Sequence, residues 1–362
     1  MARLLIMEQR RAGLDARLSF ELDETDPEEL GGHPDLEGAR IPLLGPTPPE
    51  ELGRALAGLP AGTALHLHTS TDWPELFSGL APHATGRRLF ITLHDTTPLT
   101  GGCAYPLDCP HFPVCAAPCP RDYPDARARQ TEAAALLRAL APTLVSPSGW
   151  LARLARQVLP DLPARVIPNG VPWPQPAALM PRATARALLG VPETAPMALF
   201  AAHGGARAGY KSGPQWQELW AALRQRLPTA QGFAVGGSEI GSQDGLTFWP
   251  YVDRAKLSLL MRAADALLYP TLADNHPLVL LEAAALELPV VSFAVGGVPE
   301  IIRHEDTGLL CPAGDETGFI AAARRLLAEP ALCRRLGRTA RDRGAKRFAT
   351  ARMAADYAAL LG

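Results

Sequence analysis

The sequence predicts an α/β fold of two doubly wound domains, each a parallel sheet with helices on both faces. The 362 residues suffice for two domains of ordinary size, about 100–200 residues each. Segments of strand and helix character alternate along nearly the whole chain, which is typical of parallel sheets. Four prolines between Pro172 and Pro181 interrupt this alternation and indicate a linker.

The N-terminal half is predicted to open with a helix at Ala2–Ala12, ended by Gly13. Strands are predicted at Asp15–Leu22, Thr63–His68, Arg88–His94, Thr143–Ser146 and Arg165–Pro168. Helices are predicted at Ala126–Leu140 and Trp150–Leu159, the second capped by Ser148. Residues 23–50 and the Pro- and Cys-rich excursion 96–124 are predicted to be loops.

The C-terminal half repeats the alternation with clearer periodicity. Its strands are predicted at Met197–Ala201, Gly232–Val235, Thr247–Trp249, Ala266–Tyr269 and Val290–Phe293. Its helices are predicted at Arg182–Leu189, Trp216–Leu227, Arg254–Ala263, Pro277–Leu286, Glu316–Ala328, Pro330–Arg347 and in a last segment to Leu360. The predicted domains are therefore residues 1–172 and 173–345, with 346–362 as a final helix that crosses back to the first domain.

Composition excludes several classes of protein. A hydrophobic fraction of 47% with 20% charged residues argues against disorder. The net charge of -2 provides no positive field for nucleic acid, so no nucleic-acid partner is predicted. No apolar run reaches the roughly 18 residues of a membrane span, and MARLLIMEQRR is too short for a signal peptide. The predicted location is cytoplasmic.

The segment from Tyr269 to Asp315 carries the clearest chemistry. Asp274 follows an apolar strand, and Glu282 lies eight residues further on, inside the predicted helix. A helix N-terminus offers free N–H groups to an anion, and a carboxylate can accept two hydrogen bonds from a ribose diol. The spacing alone leaves a simpler alternative open, in which Asp274 is a helix-entry residue and Glu282 a solvated position.

This segment resembles the C-terminal signature of GT-B retaining glycosyltransferases, the group 1 set known as glycosyltransferase family 4. That signature has an acid and a Glu with seven residues between them, a strand, a GG-x-P-E turn and a TGLL-x-P-x-GD run. They correspond here to Asp274 and Glu282, Val290–Phe293, residues 296–300 and residues 307–315. The family's first acid is usually Glu, so Asp274 is a departure. The resemblance covers residues 60–362 and implies two Rossmann-like domains facing across a cleft.

The resemblance implies a set of donor-binding residues. AAHGGARAGYKSG (201–213) is similar to the donor-phosphate loop, in which Lys211 and Arg207 would face a diphosphate, although either could be an ordinary surface residue. Trp249 and Tyr251 would lie near the nucleobase, with core packing open for Trp249. Asp274 would contact the donor sugar and Glu282 the ribose. The remaining implied donor contacts are Gly204, Gly205, Asn275, His276, Pro277, Leu278 and Asn169.

In the N-terminal half, TLHDTTPLTGGCAYPLDC (92–109) resembles transferases of the colanic-acid or exopolysaccharide type. His94 ends a predicted strand, and the resemblance implies that it lines the donor near the reaction centre; the alternative is a structural histidine. Asp95 either orients His94 or caps a turn. Asn169 begins an Asn–Gly pair, which is also an ordinary turn. The family's first strand and Gly-Gly loop are predicted to be missing before Ala2.

Four cysteines fall within a short stretch of the excursion: Cys103, Cys109, Cys115 and Cys119. Four thiolates can hold a structural zinc ion tetrahedrally, but only the last pair has a usual zinc spacing. Structural zinc, free thiols and disulfides all stay open. The other two cysteines, Cys311 and Cys333, occupy isolated apolar positions.

The predicted function is transfer of a sugar, with retention, from a UDP- or GDP-type nucleotide sugar to a glycan or lipid-linked acceptor, in surface polysaccharide biosynthesis. The catalytic residues would be His94, Asp274 and Lys211. No catalytic metal or other cofactor is predicted, because Lys211 and helix N-termini supply positive charge. Lipid-linked acceptors would place the protein at the inner face of the cell membrane. Two alternatives stay open: a catalytically degenerate nucleotide-sugar-binding partner protein, and another GT-B enzyme such as an epimerase or phosphorylase.

Overall fold

A computed structural model describes residues 2–14, 16, 56–60, 62–70, 72–205 and 209–361. The chain divides into two compact units, Met1–Asn169 together with Met353–Gly362, and Gly170–Arg352. The predicted strand Asp15–Leu22 and the predicted loop 23–50 lie, apart from Ala16, outside the described residues. No helix among the described residues is both long and apolar enough to cross a membrane.

The first unit contains a four-stranded parallel sheet with the strand order β1-β2-β3-β4. Its strands are β1 (Leu65–Leu67), β2 (Leu89–Thr92), β3 (Thr143–Ser146) and β4 (Ala164–Val166). Its helices are α1 (Ala2–Arg11), α2 (Trp73–Leu80), α3 (Ala126–Leu140) and α4 (Gly149–Val158). The sequence analysis assigns no element to α2, which carries a proline in its first turn, where proline is tolerated.

Side-chain caps fix where two of these helices begin. Asp72 accepts a hydrogen bond from the N–H of Glu75 at the start of α2, and Ser148 accepts one from the N–H of Leu151 at the start of α4. Both bonds are 3.1 Å long and satisfy N–H groups that a helix leaves without partners. The cap by Ser148, which the sequence predicts, is therefore present in the structure.

The second unit contains a seven-stranded sheet with the order β11-β10-β9-β5-β6-β8-β7, in which only β7 is antiparallel to its neighbour. Its strands are β5 (Met197–Ala201), β6 (Gln231–Gly237), β7 (Gly241–Gln243), β8 (Leu246–Pro250), β9 (Ala266–Tyr269), β10 (Val290–Phe293) and β11 (Gly308–Cys311). Its helices are α5 (Arg182–Leu189), α6 (Trp216–Arg224), α7 (Arg254–Ala263), α8 (Leu278–Ala285), α9 (Val298–Ile301), α10 (Glu316–Ala328) and α11 (Pro330–Phe348).

Apolar clusters cover both faces of this sheet, as the continuous apolar strands require. Leu199 and Leu267 point to one cluster, while Phe200 and Leu268 point to the other. The strands β7 and β11 are absent from the sequence prediction. The β7–β8 hairpin turns at Asp244–Gly245, whose φ values of 49° and 73° are those that an Asp–Gly turn adopts.

The last helix, α12 (Thr350–Leu361), ends in the first unit. Its buried residues Met353, Ala354 and Tyr357 pack with Val145 and Ile167 in one apolar cluster. The hydroxyl of Tyr357 lies 2.8 Å from Oγ1 of Thr92, the last residue of β2. This bond places a polar group of the final helix against the histidines described below.

Candidate functional site

In the second unit, three loops meet at the edge of the sheet where parallel strands end. They are residues 202–205 and 209–213 after β5, residues 270–277 after β9 and residues 294–297 after β10. The carboxyl-terminal edge is where ligands of doubly wound sheets bind. The predicted residues Lys211 and Asp274 lie on two of these loops.

Asp274 is buried, and its carboxylate is held by two groups. The hydroxyl of Tyr269 donates to Oδ2 at 2.6 Å, and Nζ of Lys211 lies 3.5 Å from the same oxygen. Lys211 Nζ also lies 5.9 Å from the centroid of the Tyr269 ring. The structure therefore joins two predicted site residues, 63 positions apart, through a tyrosine that the sequence analysis treats only as the end of a strand.

The Gly-Gly turn after β10 fixes the backbone of Asp274. The N–H of Gly297 donates to the carbonyl of Asp274 at 2.9 Å. Gly296 has a φ of +56°, and a β-carbon added there would lie 2.1 Å from that same carbonyl oxygen. Only glycine fits this position without a shift of the Asp274 loop. The GG-x-P-E turn thus has a mechanical role that the resemblance alone does not explain.

The carbonyl of Tyr210 ties the first loop to the second. It accepts from the N–H of Leu272 at 2.7 Å and from Oγ1 of Thr271 at 3.1 Å. Thr271 Oγ1 also lies 2.9 Å from the carbonyl of Ala273. Because Lys211 directly follows Tyr210, this contact brings the backbone of Lys211 close to the Asp274 loop. The predicted partner Arg207 lies outside the described residues.

Glycines bring the loop after β5 into backbone contact with the end of β6. Gly204 donates its N–H to the carbonyl of Gly236 at 2.8 Å, and a β-carbon on Gly205 would lie 2.5 Å from the backbone of Gly237. Gly236 has a φ of +109°, and a β-carbon added there would lie 2.0 Å from the carbonyl oxygen of Ala202. Gly204 and Gly205 are predicted site residues, whereas Gly236 and Gly237 are not. A Gly-Gly pair at the end of a strand is nevertheless visible in the sequence as a signal of close backbone approach.

Glu282 lies within α8, the helix that follows the Asp274 loop. Its Oε1 is 3.2 Å from Nη2 of Arg254, the first residue of α7. Desolvation by burial raises the pKa of Glu282, and the Arg254 charge opposes that shift. The side chain is 21% exposed. One oxygen therefore meets a cation, and the other is available as a hydrogen-bond acceptor.

The residues that lead into α8 are buried. Asn275 is 2% and His276 4% exposed, and Pro277 stands at the start of the helix that begins at Leu278. Burial, followed by the charges of Arg352 and Arg347, lowers the pKa of His276 to about 3. His276 is therefore neutral at physiological pH, and its ring packs edge-on against Phe348.

The two predicted nucleobase residues have different environments. Trp249 is partly buried and meets Phe233 edge-to-face at 5.4 Å between ring centroids, which agrees with the core-packing alternative. Tyr251 is 66% exposed, and its N–H donates to the carbonyl of Gly237. An exposed tyrosine beside the glycine loops can stack on a ligand ring.

In the first unit, His94 belongs to a row of half-buried histidines. Its Nε2 lies 3.1 Å from Nδ1 of His68, and the His68 ring lies 4.2 Å from the ring of His66. His66 Nε2 is 2.7 Å from Oγ1 of Thr92, which in turn meets Tyr357. His66 and His68 share a sheet face because strand side chains alternate. The sequence analysis predicts His94 but neither of its neighbours.

Burial lowers the pKa of each of these histidines. The pKa of His66 falls to about 3 and that of His94 to about 4, and the pKa of His68 also lies well below 6.5. Their mutual charge repulsion adds to the effect of desolvation. A neutral pair can share one proton between Nδ1 of His68 and Nε2 of His94. Any other hydrogen bond of the His94 ring must then use its Nδ1.

Asp95 caps a turn. Its Oδ1 accepts from the N–H of Thr97 at 2.8 Å and from the Thr97 hydroxyl at 2.5 Å. The indole of Trp73 donates to that hydroxyl at 3.0 Å. Asn169, the other predicted site residue of this unit, is 6% exposed.

All four cysteines of the excursion carry free thiols, so the disulfide alternative does not occur. Across the described ranges, no three His, Cys, Asp or Glu side chains are grouped so that they could hold a metal ion. The zinc interpretation of Cys103, Cys109, Cys115 and Cys119 finds no support in this arrangement. The excursion is held instead by Gln130 of α3, which donates to the carbonyls of Leu99 and Pro113 and accepts from the N–H of Cys115.

Comparisons with known proteins address the second unit directly. Residues 238–343 match the family described as "Glycosyl transferases group 1". The N-acetyl-alpha-D-glucosaminyl L-malate synthase of Bacillus anthracis is 38% identical over 98 residues, 27% of this chain and 26% of that protein. The D-inositol 3-phosphate glycosyltransferase of Mycobacteroides abscessus is 42% identical over 126 residues, 30% of this chain and 28% of that protein. The matched segments thus span about a quarter of each curated relative.

Solved structures resemble nearly the whole chain. A sucrose-phosphate synthase from Thermosynechococcus elongatus superimposes with a TM-score of 0.71 at 24% identity, covering 99% of this chain and 91% of that one. Anabaena HepE in complex with UDP gives a TM-score of 0.73 at 16% identity, covering 99% and 94%. These likenesses establish the predicted GT-B fold. Residues 238–343 of this chain therefore match the family model of the group 1 glycosyltransferases, within a chain of GT-B fold.

Proposed function

We propose that this protein is a glycosyltransferase that moves a sugar, with retention, from a nucleoside diphosphate sugar to a hydroxyl of a glycan or lipid-linked acceptor. The observation that carries the proposal is the cluster of Lys211, Asp274 and Tyr269 at the carboxyl edge of the second sheet. Tyr269 and Asp274 lie shortly before the helix that bears Glu282, inside the segment that matches the family, and Lys211 joins them from the loop after β5.

Lys211 would bind the diphosphate of the donor. Cleavage of the sugar–phosphate bond leaves the electron pair on the phosphate oxygen, so negative charge grows there in the transition state. A fixed ammonium stabilises that charge without reorganisation. Its ammonium lies 3.5 Å from Asp274 Oδ2, and its side chain is 30% exposed, which leaves it accessible to a ligand. Arg207 is proposed as a second cation.

Glu282 would accept hydrogen bonds from the two ribose hydroxyls of the donor. Arg254 holds one carboxylate oxygen at 3.2 Å and fixes the rotamer. Removal of the carboxylate would leave the ribose hydroxyls without acceptors, a loss that costs about 1–3 kcal/mol of binding. The two matching relatives named above act, by their names, on glucosaminyl and inositol phosphate compounds, so the base and sugar of this donor are left to experiment.

Asp274 would contact the donor sugar. Tyr269 and Lys211 both contact Oδ2 of Asp274, so Oδ1 is the oxygen that we propose to accept a hydrogen bond from the sugar. We propose that His94 lines the reaction centre on the N-terminal side, with His68 setting which of its nitrogens carries the proton. We propose no protein nucleophile and no catalytic metal; the leaving phosphate would assist attack by the acceptor hydroxyl on the same face.

Turnover of a donor panel tests this proposal. UDP conjugates come first, because HepE is described in complex with UDP and with UDP-glucose. Release of nucleoside diphosphate is measured with and without EDTA, and the anomeric configuration of the product is read by NMR. Metal-independent release that yields a retained anomer supports the proposal. Saturable nucleotide binding with no turnover for any acceptor would favour the degenerate binding protein instead. The cytoplasmic location and a place at the inner membrane face stay predictions.

A further inference from the structure

The second unit contains a cavity of about 420 Å³ that the donor site does not use. This volume lies within the roughly 300–1,000 Å³ of small-molecule sites. Its floor is apolar and buried, and the floor residues come from α8, β10, α9 and α11: Leu280, Ala284, Val290, Ile301, Ile302 and Phe348. Leu280 and Ala284 are one helical turn apart, and Glu282 lies between them, on another side of α8.

The rim of the cavity is basic. Arg303 follows α9, while Arg343, Lys346 and Arg347 come from α11, and Asp342 is the single carboxylate of the lining. All five are exposed. Four positive charges against one negative charge contrast with the net charge of -2 for the whole chain.

Protein partners neutralise only part of this charge. Arg343 pairs with Asp306 at 2.6 Å, and Arg347 lies over the Phe348 ring at 4.9 Å. Within the part of the chain that the structure describes, neither Arg303 nor Lys346 has a carboxylate within 4 Å. Lys346 and Arg347 lie in the last turn of α11, where cations offset the helix dipole. The dipole of α11 does not account for Arg303, because Arg303 lies outside that helix, after α9.

We propose that this cavity binds an anionic amphiphile, a membrane lipid with a phosphate monoester head group and a hydrocarbon chain. Arg303, Lys346 and Arg347 would hold the phosphate, and the apolar floor would take the first carbons of the chain. An apolar floor alone does not select an anion, and a basic rim alone does not select a hydrocarbon. The combination of the two defines the ligand class. This site is independent of the proposed transferase activity.

Octyl phosphate is a suitable probe because it carries both groups on one small molecule. Its binding to the full chain is measured by calorimetry at about 50 and 150 mM salt, beside inorganic phosphate and 1-octanol. The test variant is Arg303→Gln with Lys346→Gln. The matched control is Arg334→Gln with Arg338→Gln, two exposed residues of α11 outside the lining. Ala340→Leu fills the cavity without changing its charge.

The proposal predicts one saturable site for octyl phosphate, weakened at the higher salt concentration. The charge variant should bind at least ten-fold more weakly, Ala340→Leu should also lose affinity, and the control should match the wild type. Either probe that carries one group alone should bind at least ten-fold more weakly. Absence of binding, equal affinity in the charge variant, or inorganic phosphate binding as tightly as octyl phosphate would overturn it. The charge variant alters only exposed side chains, so its thermal unfolding midpoint should stay near that of the wild type.

Discussion

Gly296→Ala should displace the Asp274 loop. The added β-carbon would lie 2.1 Å from the carbonyl oxygen of Asp274, and real β-carbons do not approach below 3.0 Å. One of the two atoms must therefore move by about 1 Å. Misplacement of a catalytic group by that distance can lower the rate by about 10²-fold. The φ of +56° adds a left-handed penalty of about 1–2 kcal/mol to the cost in stability.

Gly314→Ala is the matched control. Gly314 has a φ of +74°, and a β-carbon there would meet nothing within 4 Å. It carries the same backbone penalty without the clash. Urea unfolding and donor kcat/KM are measured for both variants, with nucleotide affinity as a second measure of the site. The Gly296 variant should lose about 1–3 kcal/mol of stability beyond the control, and about 10²-fold in kcat/KM. Equal stability and equal activity in the two variants would refute the close-packing argument.

Three further predictions follow from the same contacts. Lys211→Met should lower donor kcat/KM by about 10²–10³-fold with an unchanged unfolding midpoint. Lys256→Met, at an exposed lysine of α7, should match the wild type. Comparable losses of kcat/KM in the two variants would contradict the proposed role of Lys211. Stability should fall with acid, because below pH 6.5 the unfolded chain takes up protons that His66 and His94, with pKa values of about 3 and about 4, do not bind when folded. Each histidine contributes up to about 1.4 kcal/mol of unfolding free energy per pH unit between about pH 6.5 and pH 4. The free energy of urea unfolding should therefore change less with pH in His66→Gln than in the wild type. An equal change with pH in the two proteins would contradict this prediction. Elemental analysis should find less than one zinc per chain, and EDTA should leave the unfolding midpoint unchanged; a stoichiometric zinc ion would restore the zinc interpretation of the four clustered cysteines.

The order of strands and helices in both units follows from periodicity. Apolar segments such as Met197–Ala201 and Val290–Phe293 are buried on both sides, and parallel strands of this kind are readily predicted. The short elements are harder. β7 is fully exposed, so its residues carry no apolar pattern, and β11 has only four residues. Only the Asp–Gly turn between β7 and β8 is a local signal of that hairpin.

The candidate site is predictable in its acids and its lysine, but not in its contacts. The pairing of Lys211 with Asp274 depends on two loops that approach because strands β5 and β9 are neighbours, and sequence spacing does not reveal that neighbourhood. The Arg254–Glu282 pair joins two different helices in the same way. These contacts arise from tertiary packing, which periodicity within one segment does not encode.

The histidine row shows both the strength and the limit of local patterns. His94 is placed correctly after a buried strand, and the alternation in His66-Leu67-His68 predicts that the two histidines share a sheet face. Nothing local indicates that this face meets Thr92 or the Tyr357 hydroxyl, which is 265 residues away in the chain. The row of histidines therefore becomes evident only in the structure.

The central claim is that the carboxyl edge of the second sheet binds the nucleotide of a sugar donor. Calorimetric titration with UDP, GDP and ADP tests it most directly, on the wild type, Glu282→Gln and the exposed-lysine control Lys256→Met. We expect one saturable site for one of these nucleotides, with affinity at least ten-fold weaker in Glu282→Gln and unchanged in the control. Absence of binding by all three nucleotides, or equal affinity in Glu282→Gln, would contradict it.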